Sequence, residues 1–174
     1  VVVTGVGAVT PLGNDVPSLW ASLLASRSGV ARISRFDPSA LESQIAAEVK
    51  GFDPSAYLSP KEVKRSERFV QFAVASAKQA VADAGLKLEG IDPFRGGVII
   101  GCGMGSMRLI EDQHSVLVSK GPKKLSPFMI PMLIANMAAG QVSIAFGFRG
   151  PSLAHTSACS SSGHAIGEAL RMMQ

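Results

Sequence analysis

Two hydrophobic rhythms run along the chain. Short β-branched runs bounded by glycine, VVVTGVGAV (1–9) and GGVIIGCG (96–103), read as buried strands. SLAHTSA (152–158) reads as a third strand, and QIAAEV (44–49) as a weak one. Between them the apolar spacing turns helical. Residues 16–27 place Leu19, Trp20, Leu23 and Leu24 on one face, with Gly29 as the stop. Ser59-Pro60-Lys61-Glu62 combines a capping box with proline at the first helical position. It predicts one long helix to Ala84, burying Phe69, Phe72, Ala73, Ala77, Ala80, Val81 and Ala84, with Gly85 as its end. Helices are also predicted over 107–119, 130–146 and 160–173, with a basic loop from Pro122 to Pro127. Strands alternating with helices, with no repeat and no flexible linker, predict a single layered α/β domain.

Composition narrows the function classes. At 174 residues and 47% apolar, the chain has the material for a packed core. The net charge of +4 is scattered, apart from KEVKR (61–65) and KGPKK (120–124), and one Trp and one Tyr offer little base stacking. This argues against nucleic acid as a partner. Two cysteines without a CxxC form no disulfide framework and suggest a reducing compartment, and the three histidines lack metal-ligand spacing. VVVTGVGAV is too short and lacks the basic flank of a signal peptide, and Pro131 and Asn136 interrupt FMIPMLIANMAAG as a membrane span. The start without Met suggests a processed end or a fragment. VTGVGAVTPLG and GCGMGSM each place GxG after a strand, as phosphate loops do, but Thr10 and Ser106 stand where GxGxxG needs its last glycine. Tight turns and close packing are the preferred reading of both.

Cys102 and Cys159 compete as nucleophile. Cys102 leaves a buried strand into Gly-Met-Gly and reads as a small core residue. Cys159 ends a strand and precedes Ser160, Ser161, Ser162 and Gly163, which keep its surroundings open at a strand-to-helix corner. Free N–H groups at the helix start favour a thiolate and can receive a developing oxyanion. A structural cysteine is the competing reading. His164 lies five residues on and points away by about 140° on a helix, so it reads as structural; His155 and His114 are no better placed as a base.

The stretch TSACSSSGHAIG resembles the active-cysteine segment of the β-ketoacyl-acyl-carrier-protein synthases, the elongating condensing enzymes of type II fatty acid synthesis. VVVTGVGAVTPLGN, KGPKKLSPFMIPMLIANMAAGQVSI and GFRGPS are similar to other family blocks, in family order, so the resemblance covers essentially the whole chain. It implies a thiolase-like fold, the N-terminal half of a layered αβαβα architecture, in a homodimer. It implies that Cys159 takes an acyl group from carrier-protein phosphopantetheine, with its backbone N–H in the oxyanion hole. Malonyl-carrier protein then loses CO2 and attacks the thioester, giving a 3-oxoacyl chain. Met104 would line the acyl pocket and Met129 the acyl tail near the dimer partner. Lys61, Lys64, Arg65, Lys123 and Lys124 would dock the acidic acyl carrier protein. No resident cofactor or metal is implied, and neither a membrane nor a nucleic acid partner. Cys159 itself separates the chain from the chain-length-factor relatives, which replace that residue.

Family members are more than twice as long, and their two catalytic histidines, catalytic lysine and gating phenylalanine lie in the C-terminal part. Residues 1–174 are therefore expected to be an incomplete ketosynthase domain, inactive alone. A noncatalytic dimerisation or carrier-binding fragment, and a polyketide ketosynthase, are the alternatives. A cytoplasmic location is expected in a bacterium, or an organelle in a eukaryote.

Overall fold

The computed structural model describes residues 1–174, an α/β architecture that falls into two compact units. One unit comprises residues 4–53 and 75–85, the other residues 1–3, 54–74 and 86–174. No helix is long and apolar enough to cross a membrane.

The smaller unit contains α1 (Val16–Leu24), the antiparallel strands β1 (Val30–Arg32) and β2 (Ile45–Ala47), and the later turns of the helix Arg68–Asp83. Asp15 caps α1 by accepting the Ser18 N–H at 2.7 Å, and its bonds to Ser18 hold its carboxyl below the ordinary value. α1 stops ahead of Gly29, because Ser26 takes a positive φ of 51°. Its expected inward face points outward: Trp20 is 60% and Leu24 70% exposed, while Ser22 is buried and donates to the Leu12 carbonyl. β2 falls within the weak strand expected at 44–49; its three-residue partner β1 is too short for its alternation to register.

Residues 1–9 form no strand. The N–H groups of Val6 and Ala8 are taken by the side chains of Asp83 and Gln79, each at 2.9 Å, instead of by a neighbouring strand. Gly5 and Gly7 let this segment lie directly on the helix backbone. A Cβ would stand 2.2 Å from the Ala80 carbonyl oxygen in the first case and 2.0 Å from that of Ser76 in the second. The glycine spacing that mimics a phosphate loop thus serves close packing.

In the larger unit the capping box forms as expected, with Ser59 and Glu62 bonding reciprocally at the start of α2 (Pro60–Lys64). The predicted long helix is broken, however, and resumes as α3 (Arg68–Asp83). Side chains explain the break. The Glu62 carbonyl accepts the Ser66 hydroxyl at 2.7 Å, and buried Gln71 donates its amide to the carbonyls of Ser66 and Val63. Carbonyls that a continuing helix would use are thereby satisfied from outside it. The buried stripe of α3 is also rotated from the expected one: Val70, Gln71, Val74 and Ala75 are buried, while Phe69, Phe72 and Ala73 are half-buried.

The chain continues through β3 (Val98–Gly101), α4 (Met107–Lys120), α5 (Met129–Leu133), α6 (Met137–Phe146), β4 (Ser152–His155) and α7 (Ser161–Met173). β3 and β4 pair in parallel, from Val98 beside Ser152 to Gly101 beside His155, with the intervening helices as the crossover. α6 and α7 pack on this pair with Ala138, Ala139, Val142 and Ala165 buried. The apolar run 130–146 forms two helices instead of one. Ile134 is extended (ψ 139°), and the Leu133 carbonyl accepts the Ser106 N–H.

Gly7→Ala is expected to destabilise the protein expressed from its complete reading frame by about 1–3 kcal/mol, because the new methyl must displace backbone. The denaturant midpoint measures this; an unshifted midpoint would show that the segment does not lie on the helix.

Candidate active site

β3 and β4 end side by side, at Gly101 and His155. From His155 the chain passes through Thr156 and Ser157 into a single 3-10 turn, Ala158–Ser160, and then into α7. Cys159 occupies the middle of that turn and is exposed. The residue before it, Ala158, has φ 50°, a left-handed conformation that costs an alanine about 1–3 kcal/mol and needs support.

Ser161 provides the support. This hydroxyl, on a residue only 4% exposed, donates to the Ala158 carbonyl at 2.7 Å and accepts the Ser157 N–H at 2.9 Å. A second link closes the turn from outside, Ser157 Oγ to His164 Nδ1 at 2.6 Å. Gly101 sets how closely the helix start can sit: a Cβ there would lie 2.4 Å from the Ser161 carbonyl carbon and the Ser162 nitrogen. Ser157 and Gly101 were not singled out from the sequence, and Ser161 was read only as one of the small residues that keep the thiol open. The serine pair four residues apart around the cysteine was the available signal.

The Cys159 N–H has no acceptor within the chain, and no side chain caps the start of α7. The N–H groups of Ser160 and Ser161 are taken by the Ser157 and Ala158 carbonyls, so the exposed thiol has one free backbone donor, its own, an arrangement able to hold an acyl thioester and to bond the oxyanion formed on the way to it. His164 is engaged with Ser157, in keeping with the structural role expected for it. Cys102 is half-buried, and its N–H donates to the His155 carbonyl at 3.0 Å, extending the β3–β4 pairing. The Nε2 of His155 is buried without a partner. No cluster of metal-ligating side chains is present.

Met104 lies in the loop between β3 and α4 and is 68% exposed. That loop runs beside the cysteine turn: a Cβ on Gly103 would be 3.7 Å from the Ala158 carbonyl oxygen. Met129 opens α5 and is half-buried. Lys61, Lys64 and Arg65 are exposed on and just after α2, and Lys123 and Lys124 on the short 3-10 turn 122–124. The Arg65 guanidinium lies 4.6 Å from the centre of the Phe128 ring, so the end of α2 meets the turn that follows Lys124.

Residues 1–174 match the family described as beta-ketoacyl synthase, N-terminal domain. The chain is 48% identical over 173 residues to 3-oxoacyl-[acyl-carrier-protein] synthase 2 of Coxiella burnetii, covering 99% of this chain and 42% of the relative. It is 45% identical over 174 residues to the enzyme of the same name from Synechocystis, covering 100% of this chain and again 42% of the relative. The chain thus spans about two-fifths of the length of the curated relatives it matches. Among solved structures, a beta-ketoacyl synthase from Burkholderia phymatum STM815 superposes with a TM-score of 0.80 at 28% identity, covering 99% of this chain and 43% of that one. With an α/β fold shared with solved ketosynthases and a match running through Cys159 from end to end, the chain belongs to the beta-ketoacyl synthase family, as its N-terminal domain.

Proposed function

We propose that this chain is the acyl-accepting part of a 3-oxoacyl-acyl-carrier-protein synthase acting in fatty acid elongation. The observation that carries the reading is the exposed Cys159 on a braced turn, with its own N–H left without an acceptor. The 3-oxoacyl-[acyl-carrier-protein] synthase 2 name shared by its curated relatives supports the substrate class. In the proposed first step Cys159 sulfur attacks the thioester carbonyl of an acyl-phosphopantetheine. The oxyanion is received by the Cys159 N–H, and the pantetheine sulfur leaves and takes up the proton given up by the thiol. In the second step malonyl-carrier protein loses CO2, its carbanion forms the new C–C bond at the Cys159 thioester carbonyl, and the C–S bond breaks. Decarboxylation is assigned to histidines that lie, in the family, beyond the region matched here. Phosphopantetheine arrives on the carrier protein.

Met104, on the loop beside the cysteine turn, is proposed to contact the acyl chain, and Met129 its tail. The basic groups of α2 and of the 122–124 turn are proposed as one carrier-protein footprint. The Arg65–Phe128 contact, which joins the two segments, supports this. A homodimer fits the exposed apolar side chains of the larger unit, such as Val118, Ile144 and Ile166. A bacterial cytoplasmic location fits the bacterial origin of these relatives.

Incubation of the protein from its complete reading frame with acyl-carrier protein, followed by peptide mass mapping, is expected to place the acyl group on Cys159. Cys159→Ala should abolish the adduct. Acylation of Cys102 with Cys159 untouched would refute the assignment.

Reversing one charge, as in Lys64→Glu, should weaken carrier-protein affinity by only about 0.2–1 kcal/mol, as for an exposed pair. Lys64→Glu with Lys124→Glu should weaken it clearly more, and high salt should shrink the difference. Titrations at low and high salt check this, and unchanged affinity in the double variant would leave these residues a solvated face.

A further inference from the structure

One carboxylate of the larger unit has no part in acyl acceptance or docking. Glu67 sits half-buried in the break between α2 and α3, and its Oε2 accepts the Ser106 hydroxyl at 2.9 Å. Its position is fixed by the backbone, since the Glu67 carbonyl accepts the N–H groups of Val70 and Gln71 at the start of α3. Ser106 is 7% exposed and is the N-cap of α4, where its Oγ accepts the Leu109 N–H at 3.3 Å. A serine hydroxyl has a single proton to give. Directing that proton to Glu67 leaves the oxygen lone pairs for the helix, so the carboxylate sets the orientation of the cap.

The cap in turn holds the loop that precedes it. Gly105 has φ 79°, and a Cβ there would fall 2.1 Å from the Leu133 carbonyl oxygen, the same oxygen that accepts the Ser106 N–H at 3.4 Å. At its other end the loop is held by the Cys102 N–H on the His155 carbonyl. Met104 is suspended between these anchors, beside the cysteine turn. Of the side chains that hold the loop, Glu67 comes from a distant part of the sequence.

We propose that Glu67 is a positioning residue that sets acyl-chain preference by fixing, through Ser106, the loop that carries Met104. The inference rests on the reading that Met104 contacts the acyl chain. Without the carboxylate, the Ser106 hydroxyl turns to other acceptors, the loop loosens, and the discrimination among chain lengths relaxes.

The test uses the protein from its complete reading frame and free acyl-pantetheines, so that carrier docking plays no part. The rate of Cys159 acylation is read by mass spectrometry across straight-chain donors from hexanoyl to palmitoyl. Glu67→Ala is expected to shrink the ratio between best and worst donor by about tenfold or more, the scale of losing one hydrogen bond to a carboxylate. Ser106→Ala should do the same, and the double variant no more than either alone, since both remove one link. Glu67→Gln keeps an acceptor oxygen and should restore most of the wild-type profile. If Glu67→Ala slows all donors equally, or leaves the ratio unchanged, while Met104→Trp alters the profile, the pocket reading stands and the role of Glu67 is refuted. If Met104→Trp leaves the profile unchanged as well, the pocket reading falls, and this inference with it.

Discussion

The site depends on the contact between the start of α7 and the end of β3. A glycine at position 101 allows the helix backbone to come within van der Waals distance of the strand; any side chain there would meet the Ser161–Ser162 peptide. The chain leaving β4 must therefore turn within a few residues to reach that helix start, and Ala158 takes the left-handed conformation that the turn requires. Buried Ser161 compensates part of the strain by bonding to both sides of the turn. Cys159 is exposed as a consequence of this geometry, and its N–H is left open because the 3-10 turn gives it no acceptor. Exposure of the sulfur and availability of the donor thus follow from one packing constraint.

The loop between β3 and α4 is governed in the same way. Gly105 faces the Leu133 carbonyl, and Ser106 joins the backbone of α5 to the side chain at the start of α3. These links draw segments distant in sequence around the turn that carries the thiol. The breaks at Arg65–Glu67 and Ile134–Asn136 belong to this arrangement. Each frees backbone or side-chain groups that an unbroken helix would keep to itself, and those groups hold the neighbouring segment.

The cysteine corner was legible in sequence because its signals are local. A strand pattern, a cysteine, a run of small residues and a helical pattern follow one another within TSACSSSGHAIG. The capping box of α2 was legible for the same reason. The helix breaks were not, because apolar spacing runs through both of them and their causes are tertiary: Gln71 reaching back to Val63 and Ser66, and Ser106 bonding the Leu133 carbonyl. The buried stripe of α3 was misplaced because its phenylalanines outweigh its valines in apolar bulk, yet Val70 and Val74 are the residues that reach the core. The brace by Ser161 escaped notice because serine carries no hydrophobic signal, although its burial is what shapes the turn.

The two remaining misreadings share a physical origin. VVVTGVGAV has the composition of a buried strand, and 16–27 the spacing of a helix packed by its apolar face. Yet Val1, Val2 and Val3 are 72–83% exposed, and Trp20 and Leu24 stand outward. Hydrophobic periodicity records that a surface is built for burial; it carries no information about which body does the burying. Inside this chain the available partners are already matched. Helices α6 and α7 cover the β3–β4 pair, and side chains of the helix Arg68–Asp83 take the N–H groups of the N-terminal segment. The apolar faces left over after such matching remain exposed in this chain, which spans about two-fifths of the length of the curated relatives it matches. The same pattern that misplaces an element among these residues therefore still marks a surface suited to burial.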